Sequence, residues 1–211
     1  MKSATTPRRN PRQERSKITV NAILEAAARV WSEQDYARSN TNLIARRAGV
    51  SIGSLYQYFP NKTALLCALN EQRHALLMTR LTEACQAGAP TLEMSLRAII
   101  SAAAEHHREH AALERVFACQ LPQGPRSTRV SSQVFQAALR NLLTVHQAEL
   151  RIKDPNLALF FLQNLGRSIM HSASRERLSD LKNGVIVEEL LATALAFLTG
   201  RAGDGSSPKK A

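Results

Sequence analysis

Apolar residues recur along this chain at helical spacing, and no stretch shows the alternation of a strand. Ile23, Ala27, Val30 and Trp31 fall at i, i+4, i+7 and i+8, one face of an amphipathic helix from about Lys17 to Glu33. Two short helices follow within residues 41 to 59. A fourth helix starts near Lys62 and keeps Leu65, Leu69, Leu76 and Leu77 on one side as far as about Ala87. Gly88-Ala89-Pro90 breaks the chain, after which Leu92, Leu96, Ile99, Ile100 and Ala103 form a clear stripe. A short helix over about His110 to Cys119 leads into the loop Leu121-Pro122-Gln123-Gly124-Pro125. Beyond it Phe135, Leu139, Leu142, Leu143 and His146 repeat at helical spacing. Asp154-Pro155 places a capping side chain and a first-turn proline ahead of Leu157, Phe160, Phe161, Leu162, Leu165 and Ile169. The last helix, about Gly184 to Leu198, sets Val187, Leu190, Leu191, Ala194, Leu195 and Leu198 on one regular stripe. The pattern predicts an all-α protein of about nine helices.

The stretch Thr41 to Phe59 reads as a helix-turn-helix. Leu43, Ile44 and Ala45 give the first short helix its inner face, Ala48 permits close approach, and Gly49 supplies a turn that a Cβ would hinder. Asn40 and Ser51 are placed to cap the two helices, because their side-chain oxygens can accept backbone N–H bonds from the first turn. Leu55 and Phe59, four apart, face inward and join Ile23, Trp31 and Ile44 as a predicted core. Ile52, Gly53, Ser54 and Gln57 are left pointing outward. Small and amide side chains on a short helix suit the DNA major groove. There Gln57 could pair bidentately with adenine, Ile52 could touch a thymine methyl, and Gly53 would let the backbone come close.

Composition changes this picture in two respects. The chain carries a net charge of +11 with a pI near 10.3, so an anionic partner is expected. Residues 1 to 70 hold 11 Lys or Arg against 4 Asp or Glu, and residues 71 to 211 hold 17 against 13, so the excess gathers around the helix-turn-helix. Residues 1–16 read as a disordered basic arm and residues 203–211 as a disordered tail. Cys67, Cys85 and Cys119 have no metal-type spacing and read as reduced thiols of a cytoplasmic protein. Neither a secretory signal nor a membrane span is expected.

The run Ile44-Ala45, Ala48-Gly49-Val50-Ser51, Gly53, Leu55-Tyr56, Tyr58-Phe59, Lys62 and Leu65-Leu66 resembles the N-terminal DNA-binding domain of the TetR family of bacterial transcription regulators. The resemblance covers roughly residues 17 to 66. Asp35 stands where the family usually has glycine, and aspartate tolerates a left-handed backbone better than most residues; Trp31 replaces a more usual phenylalanine. The resemblance implies a three-helix, homeodomain-like domain over residues 17–61 and a helical effector-binding and dimerisation domain over residues 62–202. It further implies a homodimer that binds a palindromic operator, represses, and is released by a small-molecule effector.

By position in the family motif, Thr41, Tyr56, Tyr58 and Lys62 look like phosphate contacts, with Arg46 and Arg47 as further candidates. Ser51, Ile52, Gly53, Ser54 and Gln57 complete the expected DNA-binding set. The family builds its dimer interface from the last two long helices, which points to Leu157, Phe161, Leu165, Val187, Leu190, Leu191, Ala194, Leu195 and Leu198. Its effector pocket lies among helices four to seven, where His107, Phe117, Gln120, Phe135 and His146 are candidates for their mixed polarity.

Three rival readings are weaker. His106-His107-Arg108-Glu109-His110 contains H-x-x-E-H, the inverted zinc-protease pattern, but it falls at an expected helix break with no recognisable third ligand. The expectation is therefore no enzyme, no metal and no cofactor. A nucleoid-type protein that coats DNA without sequence preference would also explain the charge. An activator of the same fold is the alternative to the expected repressor.

Overall fold

The computed structural model describes residues 14–121 and 129–200 of the chain. Among these residues the fold is all-helical: α1 Glu14–Glu33, α2 Thr41–Arg47, α3 Ile52–Tyr58, α4 Lys62–Gln86, α5 Leu92–Glu109, α6 Ala111–Gln120, α7 Arg129–Val145, α8 Pro155–Glu176, α9 Leu178–Lys182 and α10 Val185–Thr199. A 3-10 turn, Gln147–Glu149, follows α7. Helix α1 starts at Glu14, three residues before the expected point. The rest of the expected arm and the tail lie outside the described residues.

The chain divides by packing into two units. The first comprises the described residues of Met1–Leu76 and Ala112–Thr128, the second those of Leu77–Ala111 and Arg129–Ala211. This differs from the boundary at residues 61 and 62 that the helix-turn-helix pattern suggested. The reason lies in the core of the first unit. Ile23, Leu24, Ala27, Val30 and Trp31 of α1, Ile44 and Ala45 of α2, and Leu55 and Phe59 close over Leu65, Leu66 and Leu69 of α4 and over Leu113 and Phe117 of α6. Three helices alone would leave this apolar surface facing water, at a cost of about 25 cal/mol for each Å².

Local signals place the short helices. Asn40 Oδ1 accepts from the Leu43 N–H at 2.8 Å and Ser51 Oγ from the Ser54 N–H at 3.0 Å, as the sequence predicted. Gly49 takes a φ of +69° between them. Asp35, in contrast, needs no left-handed backbone: no described residue other than glycine has a positive φ. Its carboxylate accepts instead from the Ala37 N–H at 2.9 Å, a local turn that serves the same reversal. The loop before α2 is then pinned by the buried Trp31, whose Nε1 donates to Ser39 Oγ at 2.9 Å.

The second unit packs α5, α7, α8 and α10 around one core. Here the last-helix stripe is corrected. Val187, Leu190, Leu191, Ala194 and Leu198 are buried against Leu96, Ile99, Ile100, Leu143 and Met170 of their own chain, so they are not available to a partner. A single regular stripe on α10 is consumed by the helices of one protomer. Leu165 and Leu195 are partly buried at its edge. Three exposed large apolar side chains of this unit adjoin one another on α8, Leu157 at 45%, Phe160 at 62% and Phe161 at 46%; Val185 at the start of α10, Met94 on α5 and Val134 and Val145 on α7 are exposed as well. Phe161 meets Phe197 with ring centroids 4.8 Å apart. Across the unit, the Arg97 guanidinium is bonded to Glu188 and, at 3.4 Å, to Glu93; these carboxylates, Glu188 first, hold it firmly protonated. Among the described residues no helix is long and apolar enough to cross a membrane.

Candidate nucleic-acid interface and effector cavity

Helix α3 is seven residues long and turns two faces in different directions. Leu55 and Tyr58 go inward, while Ile52, Gly53, Tyr56 and Gln57 are exposed, Ile52 at 36% and Tyr56 at 42%. Ser54 is half-buried, and its hydroxyl sits 2.8 Å from Ser51 Oγ, so this serine serves the cap before anything outside. A Cβ built on Gly53 would meet only Ser51 Oγ, at an ordinary 3.8 Å. Nothing inside the unit therefore requires a glycine there.

The four hydroxyl and ammonium groups expected at phosphates separate into two pairs. Thr41 Oγ1 and Tyr56 OH lie 2.9 Å apart on the surface, joining the start of α2 to the middle of α3. Tyr58 and Lys62 depart from expectation. Tyr58 is only 8% exposed and belongs to the first core. The Lys62 ammonium donates to the backbone carbonyls of Tyr36 and Ser39, the latter at 2.7 Å, and lies 4.0 Å from the centroid of the Tyr36 ring. Burial holds the Lys62 pKa below its ordinary value, opposed by the charge of Asp35, and burial likewise raises that of Tyr36. Lys62 thus braces the loop between α1 and α2. Arg46 is exposed, whereas Arg47 pairs with Glu33.

In the second unit an open groove of about 510 Å³ is lined by the end of α4, the start of α5 and an exposed face of α7, where Val145 is 72% exposed. Val134, Ala137, Leu142 and Val145 give it apolar walls, and Ser95, Asn141 and His146 supply polar atoms. Of the five expected pocket residues only His146 reaches it, its Nδ1 held 2.8 Å from Glu149. Phe135 is buried in the second core, Phe117 in the first, and Gln120 is exposed on α6. His107 is buried and packs against His171, with ring centroids 4.8 Å apart. Missing from the sequence reading were Cys85 and Ser95, which carry no signal beyond their place beside the Gly88 break, and Asn141, a polar residue interrupting an apolar helix face. Burial pushes the Cys85 thiol up to about 12.

An exposed, capped short helix on one unit and an open groove on a separate helical unit fit a DNA-binding regulator with a helical C-terminal domain. Two family comparisons specify it. Residues 23–69 match the family described as bacterial regulatory proteins, tetR family, and residues 91–198 match the tetracyclin repressor-like C-terminal domain. The chain belongs to the TetR family of transcription regulators, whose members are not enzymes and typically repress under control of a ligand-binding C-terminal domain. The H-x-x-E-H pattern is accordingly not a protease site.

Among relatives, the chain is 36% identical over 61 residues to the fatty acid metabolism regulator protein of Bacillus subtilis, a match covering 29% of this chain and 31% of that protein. Matched stretches span from about a quarter to half of the length of its curated relatives. Solved structures agree over more of the fold. SmeT, the repressor of the Stenotrophomonas maltophilia multidrug efflux pump SmeDEF, superposes with a TM-score of 0.58 at 25% identity, over 90% of this chain and 98% of that one. The regulator FadR from Bacillus subtilis in complex with stearoyl-CoA gives 0.61 at 22% identity, over 84% and 98%.

Proposed function

We propose that this chain is a sequence-specific repressor that binds a near-palindromic operator as a homodimer and is released by a small-molecule effector. The observation that carries the reading is the exposed face of α3, where Gln57, Ile52 and an internally unneeded Gly53 stand beside the Thr41–Tyr56 hydroxyl pair. Gln57 and Ile52 read bases, and Gly53 lets the helix backbone approach them. Thr41, Tyr56 and Arg46 hold phosphates, which fixes register without carrying sequence information. Lys62 and Tyr58 position the motif and Ser51 caps it.

The dimer forms through the exposed apolar side chains of α8, Leu157, Phe160 and Phe161, with Val185 beside them; the buried α10 stripe supports that face from below. The effector occupies the cavity against α7 and has an apolar body with a polar group for Ser95, Asn141 or His146. A ligand releases DNA only by binding more tightly to the conformation that reads it poorly. The protein works in the cytoplasm, at the nucleoid when bound. Selection of genomic fragments by the purified full chain tests the reading. A shared inverted repeat is expected; equal recovery of unrelated duplexes at physiological salt would overturn it.

A further inference from the structure

Four of the chain's six histidines form one array in the second unit. His106, His107 and His110 come from the C-terminal end of α5 and His171 from α8. Ring centroids are 4.8 Å apart for His106 and His110, 5.7 Å for His106 and His107, and 4.8 Å for His107 and His171. His106 and His107 are each only 2% exposed. Apolar rings would fill that interior without the desolvation that imidazole nitrogens carry, so packing alone does not account for the choice of side chain.

We propose that this array is a binding site for one divalent transition-metal ion of the zinc class, with His107 and His171 as its two inner ligands. The ligating nitrogens of these two rings lie within 4.8 Å of one another. Two nitrogens bound tetrahedrally at about 2.1 Å from zinc stand about 3.4 Å apart, a distance reached by rotating the two rings. Imidazole selects zinc, cobalt, nickel or copper over magnesium and calcium, which prefer oxygen. Location favours a cation too, because α5 ends here and its carbonyl end is the negative pole of the helix. His106 in the last turn of α5 and His110, the residue that caps its end, adjoin the inner pair, and Glu109 lies 3.7 Å from His110 Nε2 while paired with Arg80 at 2.9 Å. This site is separate from the cavity against α7 and does not depend on the operator reading.

Cobalt(II) chloride titrated into the tag-free full chain tests the proposal. Expected is one equivalent bound with visible d–d absorption, lost on acidification as protons compete with the metal for the imidazole nitrogens. His107→Gln with His171→Gln should weaken binding at least about 100-fold. His74→Gln, outside the array, should leave it unchanged. Failure of the wild-type chain to bind, equal binding by the double variant, or a thiolate charge-transfer band that survives His171→Gln would each overturn it. Should the double variant not fold by circular dichroism, the half-buried His171→Gln alone and the wild-type titration decide.

Discussion

The ammonium of Lys62 lies against the face of Tyr36, 4.0 Å from the ring centroid, while donating to the carbonyls of Tyr36 and Ser39. A residue whose place in the family motif suggests a phosphate contact is thereby committed to the loop between α1 and α2. Charge-assisted hydrogen bonds of this kind contribute about 1 to 3 kcal/mol each at most, less where water reaches them. Lys62→Met should lower thermal stability measurably, by about 1 to 2 kcal/mol, and weaken DNA binding through the loop. The slope of log affinity against log salt should stay near that of wild type. A slope reduced by about one, with stability intact, would return Lys62 to the phosphates.

Base and phosphate roles on α3 separate by their effect on sequence preference. Gln57→Ala should relax selection at one or two base pairs, each worth about 1 to 3 kcal/mol. Tyr56→Phe removes the partner of Thr41 and should weaken all duplexes alike. Competitive binding against single-base operator variants measures both.

Association should respond to α8 and not to surface charge elsewhere. Phe160→Glu together with Phe161→Glu places two charges on the exposed apolar face and should give a folded monomer by light scattering. Operator affinity should fall with it, since two half-sites are no longer held together. A dimer that persists in this variant would move the interface off α8. Leu191→Glu is a different experiment, because it buries a charge in the second core and should unfold it.

Alkylation of the thiols reports on the cavity. Cys119 is exposed and should react with iodoacetamide first. Cys85 should be slow at neutral pH, because desolvation holds its pKa near 12 and the thiolate is the nucleophile. An effector seated against α7 should slow Cys85 further and leave the Cys119 rate alone. Mass spectrometry over time follows each site.

Phe117 belongs to the first core although its helix lies far along the sequence from the helix-turn-helix. Phe117→Ala should cost about 3 to 5 kcal/mol. Amide exchange should then quicken in α1 and α3 as well as in α6.

Much of this architecture is written in helical periodicity, because an amphipathic stripe has to be buried somewhere. The α1 face with Ile23, Val30 and Trp31, the Asn40 and Ser51 caps and the Gly49 turn are local events, and local chemistry suffices to read them. What a stripe packs against is not local. Val187 to Leu198 looks the same whether the covering surface comes from its own chain or a second copy, and here its own chain covers most of it. Tyr58 and Lys62 show the same limit at single residues, since a hydroxyl or an ammonium near a recognition helix can be turned inward by a carbonyl or an apolar wall several residues away. The cavity was legible least, because Cys85, Ser95 and Asn141 become neighbours only once three helices have met.

The membership of α6 in the first core bears on how the chain folds during synthesis. Residues 14 to 76 leave the ribosome well before Leu113 and Phe117 do, so the surface these two cover waits for the whole of α5 to be made. At about 5 to 20 residues each second, that interval lasts some seconds. Through it the emerging DNA-reading unit is incompletely closed, and the nascent chain should hold a stable grip on an operator only after residue 120 or so has cleared the exit tunnel.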